Sequence, residues 1–261
     1  MKKFRALICA ALMGLAHSAG AAEWQATAGA DVRWFDWREY QGGHQLLMER
    51  GPLAAPSLGI AVWQEGWFAR VDSVWGGGMT RYDGHLQSGP AYSARSWEEI
   101  LDTHWRAGWQ GETLSFNAGL LQRDWRRFIE GSTTVSSAEE RYRWRIATVG
   151  GSLRLSGMGE PRLSLDIGMP VERHQTVYSR QFDRFYLEPG NGVWWRMAGS
   201  WALPKDARFS LEPWYQEQHL ADSASVTLTR NGVAQPFQAY QPQSVRRELG
   251  VTLRFLLGAT H

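Results

Sequence analysis

Apolar and polar residues alternate with a period of two along most of the chain. From Trp24 to Trp34 the even positions carry Trp, Ala or Val, and the odd positions carry Gln, Thr, Gly, Asp or Arg. Successive side chains of a strand point to opposite faces, so this pattern predicts a strand with one apolar and one polar face. Ten such segments lie near residues 24–37, 57–65, 67–75, 99–110, 113–123, 141–155, 161–171, 192–203, 207–219 and 244–257.

The connections between these segments alternate in length. Short turns fall at Glu65-Gly66, at 110–112, at 156–160 and at 204–206, whereas longer polar segments run over 38–56, 76–98, 124–140, 172–191 and 220–243. This layout is typical of outer-membrane β-barrels, which have short periplasmic turns and long extracellular loops. The sequence therefore predicts an all-β, ten-stranded antiparallel transmembrane β-barrel over residues 23–261, with both ends on the periplasmic side.

A soluble β-sandwich or a lipocalin-like barrel would show the same alternation with the apolar face turned inward. Three features favour lipid on the outside. The polar face is rich in small residues, Trp and Tyr such as Trp34 and Tyr142 lie near strand ends, and the last strand carries alternating apolar residues up to Phe255. This last feature resembles the C-terminal assembly signal of bacterial outer-membrane barrels. The alternation also changes phase after Ile146, which predicts a β-bulge at Gly150-Gly151.

Residues 1–22 have the composition of a secretory signal peptide, with a basic start, an apolar middle and small residues around Ala21. The leader holds three basic residues and no acid, so 25 basic and 26 acidic residues remain after it. That balance gives no reason to expect nucleic-acid binding. The single cysteine, Cys9, lies in the leader, so we expect no disulfide, thiol nucleophile or cysteine metal site, and no cofactor is expected.

If the apolar face meets lipid, many charged side chains must face the lumen. We expect them to form an ion-pair network that fills a ten-stranded barrel, because barrels of about eight strands are filled by side chains whereas porins have 16 or more strands. A narrow anion-selective path stays open as an alternative. The predicted luminal network consists of Asp31, Arg33, Arg70, Asp72, Asp102, His104, Arg106, Arg123, Arg145, Asp166, Arg196, Glu212 and Arg254.

Arginines also occur in the segments predicted as loops and rim. Guanidinium groups bind phosphates through paired hydrogen bonds, so these residues are candidates for binding lipopolysaccharide, although ordinary solvated loop charge explains them equally well. The candidates are Arg81, Arg95, Arg126, Arg127, Arg180 and Arg184.

Two short motifs, Gly76-Gly77-Gly78-Met79 and Glu172-Arg173-His174, lie where strands meet long segments. Through them the chain resembles the omptin family of outer-membrane proteases. Gly76-Gly77-Gly78-Met79 fits a Gly-Gly-x-Met run that omptins follow with two aspartates one residue apart; here Asp83 matches the second, and Arg81 occupies the first. Glu172-Arg173-His174 lies where omptins have Asp-x-His. The resemblance implies a ten-stranded barrel with His174 as base, Glu172 as its orienting partner and Asp83 as the opposing acid.

Replacing one acid of that site with Arg81 changes the local charge by two units and disfavours proteolysis. The leading hypothesis is therefore a small, closed outer-membrane barrel without catalysis, which binds lipopolysaccharide or external ligands. An omptin-like endopeptidase and a narrow channel are the alternatives. The expected partners are outer-membrane lipid, including lipopolysaccharide, and the barrel-assembly machinery during insertion.

Overall fold

The computed structural model describes residues 22–85, 91–131, 136–157, 159–203 and 206–260. No helix in these ranges is long and apolar enough to cross a membrane. The predicted signal peptide and Cys9 lie outside the described residues, apart from Ala22. The strands are β1 (Glu23–Gln41), β2 (His44–Gln64), β3 (Trp67–His85), β4 (Ala91–Gln110), β5 (Leu114–Ile129), β6 (Ala138–Arg154), β7 (Arg162–Ser179), β8 (Phe185–Leu187), β9 (Trp194–Leu203), β10 (Asp206–Leu220), β11 (Val226–Arg230), β12 (Val233–Ala239) and β13 (Gln243–Thr260).

Ten of these strands form a closed antiparallel ring. Strands β1 to β7 pair in sequence, β9 follows β7, β10 follows β9, and β13 pairs with both β10 and β1. Strand β8 pairs with the upper part of β7, and β11 and β12 form a separate hairpin. The predicted ten-stranded barrel is therefore confirmed.

The strands are longer than the alternation predicted, and most of the segments predicted as long loops are strand. Segment 38–56 is the clearest correction, because β1 continues to Gln41 and β2 begins at His44. Gly42 and Gly43 make the turn between them with φ of 56° and 82°, a region that glycine occupies at little steric cost. The barrel wall therefore extends well above its membrane-spanning part.

The wall changes polarity along its length. In β1, Arg33 faces the lumen and Trp34 faces out, but one step further Phe35 faces the lumen and Asp36 faces out. Lipid requires an apolar outer face below this point, whereas water above it reverses the requirement. We call the exposed apolar residues below it the apolar belt. It includes Val32, Trp34, Leu58, Ile60, Trp75, Leu101, Phe116, Val149, Leu165, Ile167, Met197, Val251 and Leu253.

Directly above the apolar belt, the outer wall carries charged side chains, which we call the charged collar. They belong to every long strand that reaches this level. The collar consists of Asp36, Arg38, Arg50, Arg81, Asp83, Arg95, Glu99, Asp124, Arg126, Glu139, Arg141, Arg143, Arg145, Glu172, His174, Glu217, His219 and Arg247.

At the same level the lumen is filled by an aromatic and aliphatic cluster. Trp125 stacks on Tyr142 with ring centroids 4.4 Å apart and meets Trp37 edge-on at 4.9 Å. Such packing is typical of the core of a soluble protein. The cluster consists of Phe35, Trp37, Leu47, Leu53, Tyr82, Ile100, Trp125, Ile129, Tyr142, Trp144 and Leu220.

The predicted bulge at Gly150-Gly151 is wrong. Strand β6 keeps one register there, and Tyr142, assigned above to the outer girdle, is buried inside. The even-numbered residues of β6 face the lumen along the whole strand. After Ile146 these luminal residues become small or polar, and the outward-facing residues become mostly apolar. The β6–β7 pairing does shift once, between Arg145 and Ile146, where Val171 of β7 is passed over. This irregularity reverses which residues of β7 face the lumen above it.

Candidate functional site: the filled lumen and the charged collar

A layer of ion pairs crosses the middle of the lumen. Arg33 donates to Asp31 at 2.6 Å and to Glu248 at 2.9 Å, and Arg123 binds both oxygens of Asp102 at 2.7 and 2.8 Å. All five side chains are mostly or fully buried. Bidentate arginine–carboxylate pairs of this kind satisfy charges that would otherwise be costly to bury. We call this set the central layer.

Below the central layer, one aspartate serves two arginines. Arg70 donates to both oxygens of Asp72 at 2.7 Å, and Arg106 donates to the same carboxylate at 2.6 Å. His104, which lies near Asp102 in sequence, instead makes a 3.0 Å hydrogen bond with Thr148. This histidine therefore has a structural hydrogen bond and no carboxylate partner among the described residues.

A second carboxylate in the lower lumen is shared in the same way. Glu212 accepts from Arg196 at 2.6 Å and from Arg254. Asp166 is buried, and the Asn117 side chain lies 3.5 Å from it. The Asp166 side chain packs against Gly150. A Cβ at position 150 would lie 1.9 Å from the Asp166 oxygen, so a larger residue there would clash with it.

Above the central layer the balance of charge is reversed. Arg127 is 2% exposed and donates to Glu140 at 2.6 Å, to Glu49 at 3.1 Å and to Glu39 at 3.4 Å. Tyr142 donates to Glu140 at 2.5 Å. One guanidinium thus neutralises the centre of a mostly buried acidic cluster, and it packs against the rings of Trp125 and Tyr142.

A fourth glutamate completes this cluster. Glu98 accepts from Ser96 at 2.8 Å and from Trp125, and Thr80 donates to Glu49 at 2.5 Å. Burial, and then the neighbouring Glu49 carboxylate, raise the pKa of Glu98 well above its ordinary value. Burial also opposes ionisation of Glu49, but a hydrogen bond from the Glu98 carboxyl and the charge of Arg127 lower its pKa. The two carboxyls therefore share a proton that is lost at a higher pH than the proton of an exposed glutamate.

We predict that this shared proton makes the barrel more stable at mildly acidic pH. A carboxyl whose pKa is raised in the folded state binds its proton more tightly there, so its stabilising effect is complete at low pH. The effect is lost as pH rises from the unfolded pKa through the folded one. Each pKa unit corresponds to about 1.4 kcal/mol. We expect Glu98→Gln to gain stability relative to wild type as pH increases from about 5 to 8.

Urea unfolding of detergent-solubilised protein at several pH values measures this effect. The difference between Glu98→Gln and wild type removes the contribution of other titrating groups. A difference that does not change with pH would show that Glu98 holds no proton.

The lumen is almost completely filled at its centre. The cavity among the central-layer residues has a volume of only about 80 Å³. A larger cavity of about 660 Å³ opens at the periplasmic end, and one of about 260 Å³ lies at the other end beside the β11–β12 hairpin. Among the described residues, no group of three or more His, Cys, Asp or Glu is placed to hold a metal ion.

Twelve of the thirteen residues predicted for the luminal network face the lumen, and Arg145 does not. Arg145 lies on the outer wall and donates to Glu172. The prediction for Arg145 is wrong because the apolar face of β6 at this level, which carries Tyr142, Trp144 and Ile146, faces the lumen and not lipid.

The structure brings only part of the omptin-like site together. The Nε2 atom of His174 lies 3.4 Å from Glu172, and its side chain is 60% exposed. Both belong to the charged collar on β7, whereas Asp83 lies on the outer wall of β3, four strands away around the ring. All three point outward, so they do not face one another across the mouth of the barrel.

Arg81, which occupies the position of the missing acid, belongs to a row of three arginines. Arg50 of β2 lies directly opposite Arg81 of β3, and Arg81 lies directly opposite Arg95 of β4. Arg81 and Arg95 are 71% and 67% exposed. Like charges directly opposite each other on neighbouring strands are destabilising. We call these three residues the arginine row.

Acidic groups neutralise this row only in part. Arg81 pairs with Asp83 at 2.9 Å and Arg95 pairs with Glu130 at 3.1 Å, whereas no described residue forms an ion pair with Arg50. Asp36 of β1 lies directly opposite Arg50, but its two oxygens accept from Arg38 at 2.8 and 2.9 Å. The hydrogen bond from Ser93, together with nearby Arg81, lowers the pKa of Asp83, which is therefore ionised at neutral pH. The row keeps a net positive charge.

The other predicted phosphate-binding arginines divide by position. Arg126 lies in the charged collar, and Arg180 and Arg184 are exposed in the connection between β7 and β8. Arg127 was assigned to a loop, but it lies inside the barrel and is unavailable to a lipid. The correction follows from the length of β5, which continues to Ile129.

No family model and no curated protein sequence matches the chain. Among solved structures, the outer-membrane protease OmpT from Escherichia coli matches with a TM-score of 0.51 and 10% sequence identity, over 90% of this chain and 96% of OmpT. The NalP autotransporter translocator domain from Neisseria meningitidis matches with a TM-score of 0.46 and 12% identity, over 97% and 95% of the two chains. The Pseudomonas putida toluene transporter TodX matches with a TM-score of 0.42 and 9% identity, over 95% and 93%. The chain therefore has the barrel fold of OmpT.

Proposed function

We propose that this protein is a closed, non-catalytic barrel of the bacterial outer membrane and that its arginine row binds the phosphate groups of lipopolysaccharide. The observation that carries the proposal is the direct cross-strand alignment of Arg50, Arg81 and Arg95 on the outer wall. Three guanidinium groups held side by side provide many N–H donors for phosphate oxygens. A bound phosphate would also relieve their mutual repulsion.

The position of the row supports a lipid ligand. Between these arginines and the level of Gly77 and the collar residue Glu99, β3 and β4 carry the exposed apolar residues Met79 and Trp97, which lie opposite each other. A lipid that places its acyl chains against this surface has its charged head group at the level of the arginines. The site therefore lies on the wall of the barrel and not on flexible loops.

We predict that replacing the arginine row weakens lipopolysaccharide binding. A hydrogen bond to a charged group contributes about 1.5–3 kcal/mol. The triple substitution Arg50→Gln, Arg81→Gln, Arg95→Gln should therefore reduce affinity at least about tenfold. Titration of purified, delipidated protein with lipopolysaccharide in detergent measures the change. Arg143→Gln is the matched control, since Arg143 is a collar residue on β6 that pairs with Asp124 at 2.7 Å, two strands away from Arg95 and at the level of Leu101.

Equal affinity of the triple variant and wild type would overturn the proposal. The omptin resemblance gives an alternative function to test, because Glu172 and His174 are in contact, as an orienting carboxylate and its base would be. Peptide cleavage by wild-type protein that is lost in His174→Ala and Asp83→Ala would make the protein an endopeptidase. We expect no cleavage, because Arg81 replaces an acid and the three groups point away from one another.

A further inference from the structure

The lumen opens toward the periplasmic turns as a vestibule of about 660 Å³. Its wall includes Gln110 at the end of β4, Arg162 at the start of β7 and Ser200 in β9, and its inner part reaches Arg70 and Glu212. The nearly filled central layer closes it on the other side. The vestibule is therefore closed at its inner end, and a ligand enters it from the periplasmic side.

Two cations face each other at the edge of this vestibule. Arg154 of β6 lies directly opposite Arg162 of β7. Arg162 donates to the neutral side-chain oxygen of Gln110 at 3.1 Å. Among the described residues, Arg154 forms one ion pair, at 3.9 Å, with the exposed Glu160, which also lines the vestibule. Like charges in this arrangement destabilise a sheet unless an anion lies between them or close by.

The acids deeper in the vestibule are already shared. Asp72 accepts from both Arg70 and Arg106, and Glu212 accepts from both Arg196 and Arg254. Asp166, the third buried acid of the lower lumen, lies directly opposite Arg196, so three carboxylates face four arginines there. Buried charge is costly without a partner, so the excess of guanidinium groups favours an external anion.

We propose that the vestibule is a binding site for a small multivalent oxyanion, with Arg162 as its principal ligand. A phosphate group fits this chemistry, because the planar guanidinium fork donates two parallel hydrogen bonds to its oxygens. The phosphate is either free in the periplasm or carried on a phospholipid head group of the inner leaflet. The site is separate from the arginine row, which lies on the outer wall at the opposite end of the barrel.

Thermal unfolding of the purified, lipopolysaccharide-free barrel in detergent tests this proposal. A ligand that binds only the folded state raises the unfolding temperature as its concentration increases. Sodium phosphate and short-chain phosphatidylglycerol are compared at equal ionic strength, with sodium chloride as the blank. Stabilisation by phosphate identifies the free anion, and stabilisation by the lipid alone identifies the head group.

Two variants make the result specific to the vestibule. Arg162→Gln should weaken binding about 10- to 100-fold, because it removes charged hydrogen bonds. Ser200→Glu places a carboxylate directly opposite Arg162 and should abolish the effect of the anion while the barrel still folds. Arg143→Gln, on the outer wall and outside both proposed sites, should bind as wild type does. The absence of stabilisation by both probes, or unchanged binding in Arg162→Gln or Ser200→Glu, would overturn the proposal.

Discussion

Substituting Arg127 with methionine is expected to destabilise the barrel by about 3–5 kcal/mol, because it leaves buried carboxylates without their cation. Arg127 is 2% exposed and binds Glu39, Glu49 and Glu140 at once. Methionine retains much of the length and volume of the side chain, so the loss is mainly electrostatic. The free energy of unfolding in urea measures it.

The neighbouring residue is the matched control. Arg126 lies on the outer wall of the same strand, is about half exposed and pairs with Glu139 at 2.9 Å. An exposed ion pair contributes about 0–1 kcal/mol, so Arg126→Met should have little effect. Equal destabilisation by the two substitutions would contradict the assignment of Arg127 to a buried acidic cluster.

Leu165→Arg is expected to cost about 2–4 kcal/mol when the barrel folds into a bilayer, because it places a charge in hydrocarbon. Leu165 lies in the exposed part of β7 between Leu163 and Ile167, where the outer face is continuously apolar. Refolding into lipid vesicles at a series of urea concentrations measures the cost.

The control for this substitution lies on the same strand. His174→Arg introduces the same side chain in the charged collar, where the existing histidine is already exposed to water, and should change stability by less than about 0.5 kcal/mol. If both substitutions had the same effect, the boundary between the apolar belt and the charged collar would be wrong.

The sequence predicts the membrane-spanning part of this fold well, because lipid imposes one simple rule there. An apolar outer face and a polar inner face give the alternation seen from Trp24 to Trp34 and from Leu249 to Leu257. The short turn predicted at Glu65-Gly66 is also observed, and both residues have a positive φ there.

The upper part of the barrel was missed because water surrounds it and reverses that rule. Its strands have polar outer faces, so they were interpreted as loops. The sequence nevertheless indicates these strands, because residues with odd numbers and residues with even numbers continue to face opposite sides of each strand. Arg127 shares the parity of Arg123, and Glu98 shares the parity of Asp102, so extending each strand by a few residues would have placed all four in the lumen.

The same odd–even alternation accounts for the luminal position of two residues that the sequence analysis did not assign. Arg246 and Glu248 lie on the luminal face of β13 with Thr252, and both are almost completely buried. Arg246 donates to Glu248 and lies over the Trp125 ring at 4.9 Å. These contacts join the central layer to the aromatic cluster, and they depend on tertiary packing that a single strand pattern cannot specify.

Conductance across a planar lipid bilayer tests most directly whether the barrel is sealed by its own side chains. The central layer leaves a cavity of only about 80 Å³ between two larger openings, so purified protein inserted into the bilayer should show no stable open level. Insertion itself is verified by protease protection and by the compact migration of unboiled protein in gels. A reproducible conductance of porin size from inserted wild-type protein would contradict the account of a closed, filled barrel.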